Sequence, residues 1–304
     1  MTTRLPLSRY LALLLCLFAS ASFGQAIKLA EGVYAIKGPG ADMNTGFVVG
    51  DRGVFVFACD LPDYDRRVQA IKGVAAGKPI RFVANGHHAG DDSMCNHLFA
   101  EQGALVVGSR ELARQLLPYW PARVQEELRR GKARREHLEG KKVEMAMPAI
   151  LFDDKITLDL GSHVVELMSL GKTHTPDTTI AWLPREKVLF TADLLFVELH
   201  PTADHRSDVG HWQRVLKELA AWSPITVVPG HGVFAPGNGV KPLLDQNRYF
   251  ETMSARIRAM RDAGKSLDQI KAGIRAELGE FAAWPRERAI PATAEQIYRE
   301  LPSR

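Results

Sequence analysis

An α/β fold is predicted by three features of the sequence. From about residue 32 to residue 232, short apolar runs with strand periodicity alternate with stretches of helical periodicity. Hairpin signatures occur near the start and again after residue 155, which implies two hairpin-rich layers. From Lys241 onward the pattern is helical throughout.

Residues 32–37 open as a strand. Runs 46–49 and 54–57 then flank the turn Gly50-Asp51-Arg52-Gly53 as a hairpin. Val68 and Ile71 give residues 63–73 one apolar helical face, and 80–84 is an apolar strand. Helix is expected over 94–102, strand over 104–107, and Ser109 as N-cap of a helix over 110–117, which Pro118 and Pro121 should break. The basic residues Arg129, Arg130, Lys132, Arg134 and Arg135 alternate with Glu126, Glu127, Glu136 and Glu139. Mixed signs of this kind indicate a solvated helix rather than a nucleic-acid patch.

Two further hairpins follow, 156–160 with 164–168 and 179–183 with 188–191. Residues 197–210 read as an irregular loop holding His200, Asp204, His205 and Asp208. A helix over 212–220 and a strand over 226–228 come next, then one long helix over 241–263. Ser266 with Gln269 forms a capping box before Leu267, Ile270, Ile274 and Leu278, and Thr293 with Gln296 repeats that signature before Ile297 and Leu301.

The chemistry gathers where apolar strands stop. Residues 80–84 deliver Asn85-Gly86-His87-His88-Ala89-Gly90-Asp91-Asp92, and three later runs end in His174, Asp193 and His231. A polar turn explains any one of these alone. Four strand ends, each presenting imidazole or carboxylate, point to a metal site, because these are ligands that zinc and related ions accept.

From about residue 32 to 232 the chain resembles the metallo-β-lactamase-fold hydrolases, whose motifs occur in the same order. The resemblance implies a four-layer αβ/βα sandwich with a helical C-terminal extension, divided as a leader over 1–24, the hydrolase-like domain over 25–240 and the extension over 241–304. It implies His87, Asp91, His174, Asp193 and His231 as metal ligands. In the family motif H-x-H-x-D-H, Ala89 stands for the second histidine and Asp92 for the third. Asp92 then offers oxygen where the family offers nitrogen. Ala58-Cys59-Asp60 occupies the place of a supporting aspartate.

Such a site implies zinc, as one ion or two, with carboxylate enrichment favouring manganese or iron as alternatives. The expected activity is hydrolysis of a small-molecule substrate by activated water, with Asp91 relaying protons. The alternative is a non-catalytic metal- or ligand-binding protein on the same fold.

Residues 1–24 carry Arg4 and Arg9, then an apolar run over 10–18 and small residues, the pattern of a cleavable secretory signal. A periplasmic or secreted protein is therefore expected. Its removal takes two positive charges and no negative ones from the net +4, which leaves +2. That balance argues against nucleic acid or a membrane surface as partner, and the C-terminal helices leave room for a homo-oligomer. Cys59 and Cys95 remain after the leader; in an oxidising compartment they are a disulfide candidate, with buried thiols or a metal ligand as alternatives.

Overall fold

The computed structural model describes residues 25–40, 42–129 and 144–302. The leader expected over 1–24 and the part of the charged stretch from Arg130 to Glu139 lie outside the described residues. Among the described residues, no helix is long and apolar enough to cross a membrane.

Strands β1 (Ile27–Ala30), β2 (Val33–Ile36), β3 (Thr45–Gly50), β4 (Gly53–Phe57), β5 (Ile80–Ala84), β6 (Leu105–Ser109) and β7 (Ile150–Phe152) form one sheet in sequence order. The first four pair antiparallel; β4 to β7 pair parallel, with helices α1 (Tyr64–Val74), α2 (Gly90–Ser93), α3 (Asn96–Glu101) and α4 (Arg110–Arg129) in the connections. Strands β8 (Lys155–Asp159), β9 (Val164–Gly171), β10 (Thr178–Leu183), β11 (Val188–Val197) and β12 (Thr226–Gly232) form the second sheet, antiparallel up to the parallel β11–β12 pair. Helices α5 (Val209–Ala221), α6 (Lys241–Asp262), α7 (Leu267–Gly273) and α8 (Ile290–Glu300) complete the chain.

The layering follows from the strand period of two. On β4, Val54 and Val56 pack with Val68, Ile71 and Leu112 of the helices, whereas Phe55 and Phe57 pack with Leu167, Leu183 and Phe190 of the other sheet. On β11, Phe190 faces that same seam, while Leu189 joins Trp212, Phe250 and Ile297 on the outer side. Both sheets are thus apolar on both faces, and two helical layers enclose them. Each buried Phe or Leu in these interfaces contributes on the order of 1.5–3 kcal/mol.

Two local expectations are corrected. Helix α4 runs through Pro118 and Pro121 instead of stopping before them. Leu112, Leu116 and Trp120, spaced one turn apart, are all buried against the first sheet, and that packing carries the helix past the missing backbone bonds. Thr293 and Gln296 do not cap a helix, since α8 begins at Ile290. The Thr293 hydroxyl donates to the Pro201 carbonyl at 2.9 Å and the Gln296 amide donates to Ser207 O at 2.9 Å. Helix α8 therefore fastens the irregular segment that follows β11. The Ser266–Gln269 capping box is present as expected.

Cys59, just past β4, and Cys95, just past α2, form a disulfide with Cα atoms 5.8 Å apart. It ties the end of the first hairpin to the segment that follows β5, where the candidate ligands begin.

Candidate metal centre

After β5 the chain folds back on itself. Asp92 Oδ2 accepts hydrogen bonds from the backbone N–H groups of Gly86 at 2.8 Å and His87 at 3.0 Å, and lies 3.1 Å from His87 Nδ1. The Asn85 amide donates to Asp92 O at 2.6 Å and exchanges bonds with Asn96, which closes the loop. His87 is held with Nε2 pointing inward.

Strand β11 bulges before the next ligand. Its register with β12 shifts between Phe190 and Ala192, and Ala192 takes a left-handed φ of 44°. The distortion turns Asp193 toward His87. On the facing strand, a Cβ at Gly230 would sit 2.5 Å from Asp193 Oδ1, so only glycine lets that carboxylate approach. His174 follows β9, with Nδ1 2.9 Å from the Thr202 carbonyl and its own carbonyl accepting the Ser207 hydroxyl at 2.7 Å.

The Asp193 carboxylate is the hub. Its Oδ2 lies 3.8 Å from His87 Nε2 and 3.6 Å from His174 Nε2; its Oδ1 lies 3.1 Å from His231 Nε2, which is 3.5 Å from Asp91 Oδ2. Two three-residue groups result, His87–His174–Asp193 and Asp91–Asp193–His231, sharing Asp193. A tetrahedral ion with ligands at ~2.0–2.2 Å sets them roughly 3.3–3.6 Å apart. The separations of 3.5 and 3.6 Å match that spacing, and those of 3.1 and 3.8 Å lie within about 0.2 Å of it. With the Nδ1 atoms of His87 and His174 engaged elsewhere, their Nε2 lone pairs converge on the centre, so the donor set fits a divalent metal ion.

Without such an ion, protons carry the positive charge. Burial opposes charging His231, yet Asp193 and Asp91 outweigh it and hold its pKa up to about 10. Burial likewise opposes charge on His87, but Asp193, Asp92 and Asp91 raise it to about 9. Burial dominates at His174, which falls to about 4. Asp193, despite burial, is driven down to about 2 by His231 and His87. A metal ion would displace protons from His87 and His231.

Five of the six expected ligands thus converge. Asp92 does not join them, because its oxygens are spent on the loop backbone and on His87 Nδ1. His88 turns away to Asp177 at 2.9 Å, as adjacent residues of an extended chain should. Ala89 offers no donor. His200 is buried against Tyr249 at 3.0 Å and His205 is exposed, so neither fills the gap; Asp208 caps α5. Asp204 binds Arg206 at 2.7 Å, and Arg206 donates to His88 Nε2 at 3.3 Å. The Tyr119 ring meets His88 edge-on at 4.8 Å, whereas Trp120, Met145 and Met147 pack in the core.

Sequence reasoning missed Arg206 and Arg286. The guanidinium carbon of Arg286 lies 4.8 Å above the Phe196 ring, which stacks on His231 at 5.3 Å. Phe196 also lines a cavity of about 360 Å³ with Val233, Phe234 and Trp284. No sequence pattern marks either arginine.

The family model for the metallo-beta-lactamase superfamily matches residues 74–231. A metallo-beta-lactamase type 2 of Bacteroides fragilis is 29% identical over 119 residues, which is 36% of this chain and 46% of the relative, so the chain spans about half that relative's length. Among solved structures, the sec-alkylsulfatase Pisa1 from Pseudomonas sp. aligns with a TM-score of 0.69 at 16% identity, over 91% of this chain and 50% of its own. A metallo-beta-lactamase from Pontibacter korlensis aligns at 0.57 and 17% identity, over 74% of this chain and 98% of its own. DIM-1 metallo-beta-lactamase aligns at 0.56 and 17% identity, over 75% of this chain and 97% of its own. The share that the sulfatase leaves uncovered is smaller than the stretch 241–304, so part of the C-terminal helical region has a counterpart there.

Proposed function

The chain belongs to the metallo-β-lactamase superfamily, and from that premise we propose that it is a periplasmic or secreted metal-dependent hydrolase with a single ion at an altered centre. The observation that carries this reading is the Asp193 carboxylate, met by three imidazole nitrogens and placed to bind on both sides. Asp91, Asp193 and His231 would hold the ion. The opposite pole has only His87 and His174 as nitrogen donors, because Ala89 supplies none. Zinc is the first candidate, with manganese or iron favoured next by the carboxylates.

When bound, such an ion lowers the pKa of water and polarises the substrate's oxygen. The chain's own residues do the rest. Asp193 orients the centre, His231 is held by stacking on Phe196, and Asp91, whose side chain is 30% exposed, faces solvent and takes up the proton. The substrate is a small molecule with a lactam, lactone, thioester, phosphoester or sulfate ester bond. Lactams and sulfate esters enter that set through the structural relatives.

Elemental analysis of the mature protein, purified plain and after incubation with zinc, manganese or iron, tests the reading. About one ion per chain, lost in Asp193→Ala and His231→Ala but kept in His87→Ala, is expected. Failure to take up any ion would overturn it. Ala89 favours a second reading, a metal-binding protein without turnover; metal-dependent hydrolysis of any ester or amide class above, abolished by His231→Ala, would exclude that one.

A further inference from the structure

Arg286 combines three features that ordinary packing does not explain. Its backbone is left-handed, at φ 71° and ψ 37°, although it is neither glycine nor asparagine. Its guanidinium is mostly buried, with Nη1 lacking a hydrogen-bond partner and Nη2 making one long bond of 3.4 Å to the Thr202 hydroxyl. Among the described residues, no carboxylate pairs with it, while Asp193 and Asp91 act on it from beyond contact distance. Arg206 provides the contrast, since Asp204 neutralises it through bonds of 3.1, 3.1 and 2.7 Å.

The position of Arg286 is as informative as its lack of a partner. Through Phe196 it neighbours His231, and through Thr202, whose carbonyl holds His174 Nδ1, it neighbours the other pole. A cation largely, though not wholly, withdrawn from water without a counter-ion is costly, and a planar fork of donors matches an oxyanion bidentately.

We propose that Arg286 is the anchor for an anionic group of the substrate, so that this site takes esters or amides bearing a carboxylate, sulfate or phosphate beside the scissile bond. The inference rests on the hydrolase reading above. It makes the C-terminal region, which delivers Arg286, a part of substrate selection, and it disfavours cationic substrates. The residue before Arg286 is tied to the segment after β11, since Pro285 O accepts the His200 N–H at 3.0 Å, and helix α8 holds that segment at residues 201 and 203 through Thr293.

Calorimetric titration of inorganic sulfate and phosphate, at fixed ionic strength with chloride as control, tests the anchor. Wild type, Arg286→Asn and Arg286→Lys are compared, each metal-free and zinc-loaded. Asparagine tolerates the left-handed backbone, and circular dichroism checks that each variant folds. Saturable anion binding by wild type, weakened at least tenfold in Arg286→Asn and less in Arg286→Lys, is the expected result. Equal binding by wild type and Arg286→Asn, or no binding by wild type in either metal state, would overturn the proposal. Metal content of the same samples reports separately on the hydrolase reading, so the two can fail independently.

Discussion

Asp92 Oδ2 lies 3.1 Å from His87 Nδ1 and turns away from the centre that Asp193 organises. It aims the His87 ring toward Asp193 and does not itself face the centre. Asp92→Asn would put an amide against Nδ1 and disturb that aim. Because His87 belongs to the pole opposite Asp91, Asp193 and His231, we expect this variant, like His87→Ala, to keep about one ion per chain, with affinity lowered less than about tenfold. Chelator competition measures it. Loss of the ion as complete as in Asp193→Ala would instead make Asp92 a ligand.

Gly230 sits behind the hub. A methyl group there meets Ala192 C at 2.4 Å and Asp193 Oδ1 at 2.5 Å, and neither the bulged backbone nor the hub carboxylate can yield freely. Gly230→Ala should cost about 1–3 kcal/mol of stability and displace Asp193. Urea unfolding together with metal content checks both effects; a variant that holds metal like wild type would show that the bulge can relax.

The His and Asp residues that interrupt apolar runs were legible because periodicity marks where such a run breaks. Apolar runs in the sequence lead to His87, His174, Asp193 and His231, and the family resemblance adds Asp91 and assigns all five as ligands; in the fold β11 continues past Asp193 to Val197, β12 includes His231, and Asp91 lies in α2. The role of Asp92 was not legible, because motif alignment assigns it a ligand position while the hydrogen bonds of the 85–92 loop decide its direction. The continuity of α4 through Pro118 and Pro121 depends on tertiary burial of Leu112, Leu116 and Trp120, which local propensity does not contain. Arg286 lies 55 positions after His231 in a segment without motif, so only the fold brings it to Phe196.

The Cys59–Cys95 disulfide closes a sequence separation of 36 and joins β4 to the metal loop, where the Cys59 N–H donates to Asp92 O at 3.1 Å. Chain-entropy arguments give such a crosslink about 4 kcal/mol. The Cys59→Ser/Cys95→Ser double variant should melt on the order of 10 °C lower by calorimetry. Since the sulfur atoms are buried and are not among the converging ligands, metal stoichiometry should be unchanged. A double variant that melts with wild type but no longer binds metal would reverse this assignment and return the thiols to the site.

His200 gives the fold a pH dependence separate from the metal ligands. It is fully buried, its Nδ1 lies 3.0 Å from the Tyr249 hydroxyl, and burial, reinforced by Arg275, pushes its pKa down to about 4. The unfolded chain takes up this proton near pH 6.5, and the native state refuses it until about pH 4. Stability is therefore complete above 6.5 and declines as pH falls toward 4. His174, also depressed to about 4, adds a decline of the same sign, whereas His87 and His231, raised to about 9 and about 10, act only above this window. Asp193, lowered to about 2, acts below it. His200→Gln keeps a hydrogen-bonding group near Tyr249 and removes the titration, so it should reduce the slope of stability against pH between 6.5 and 4. Urea midpoints of the metal-free protein at intervals across that range measure the slope, and an unaltered slope in the variant would show that the native state accommodates the His200 proton.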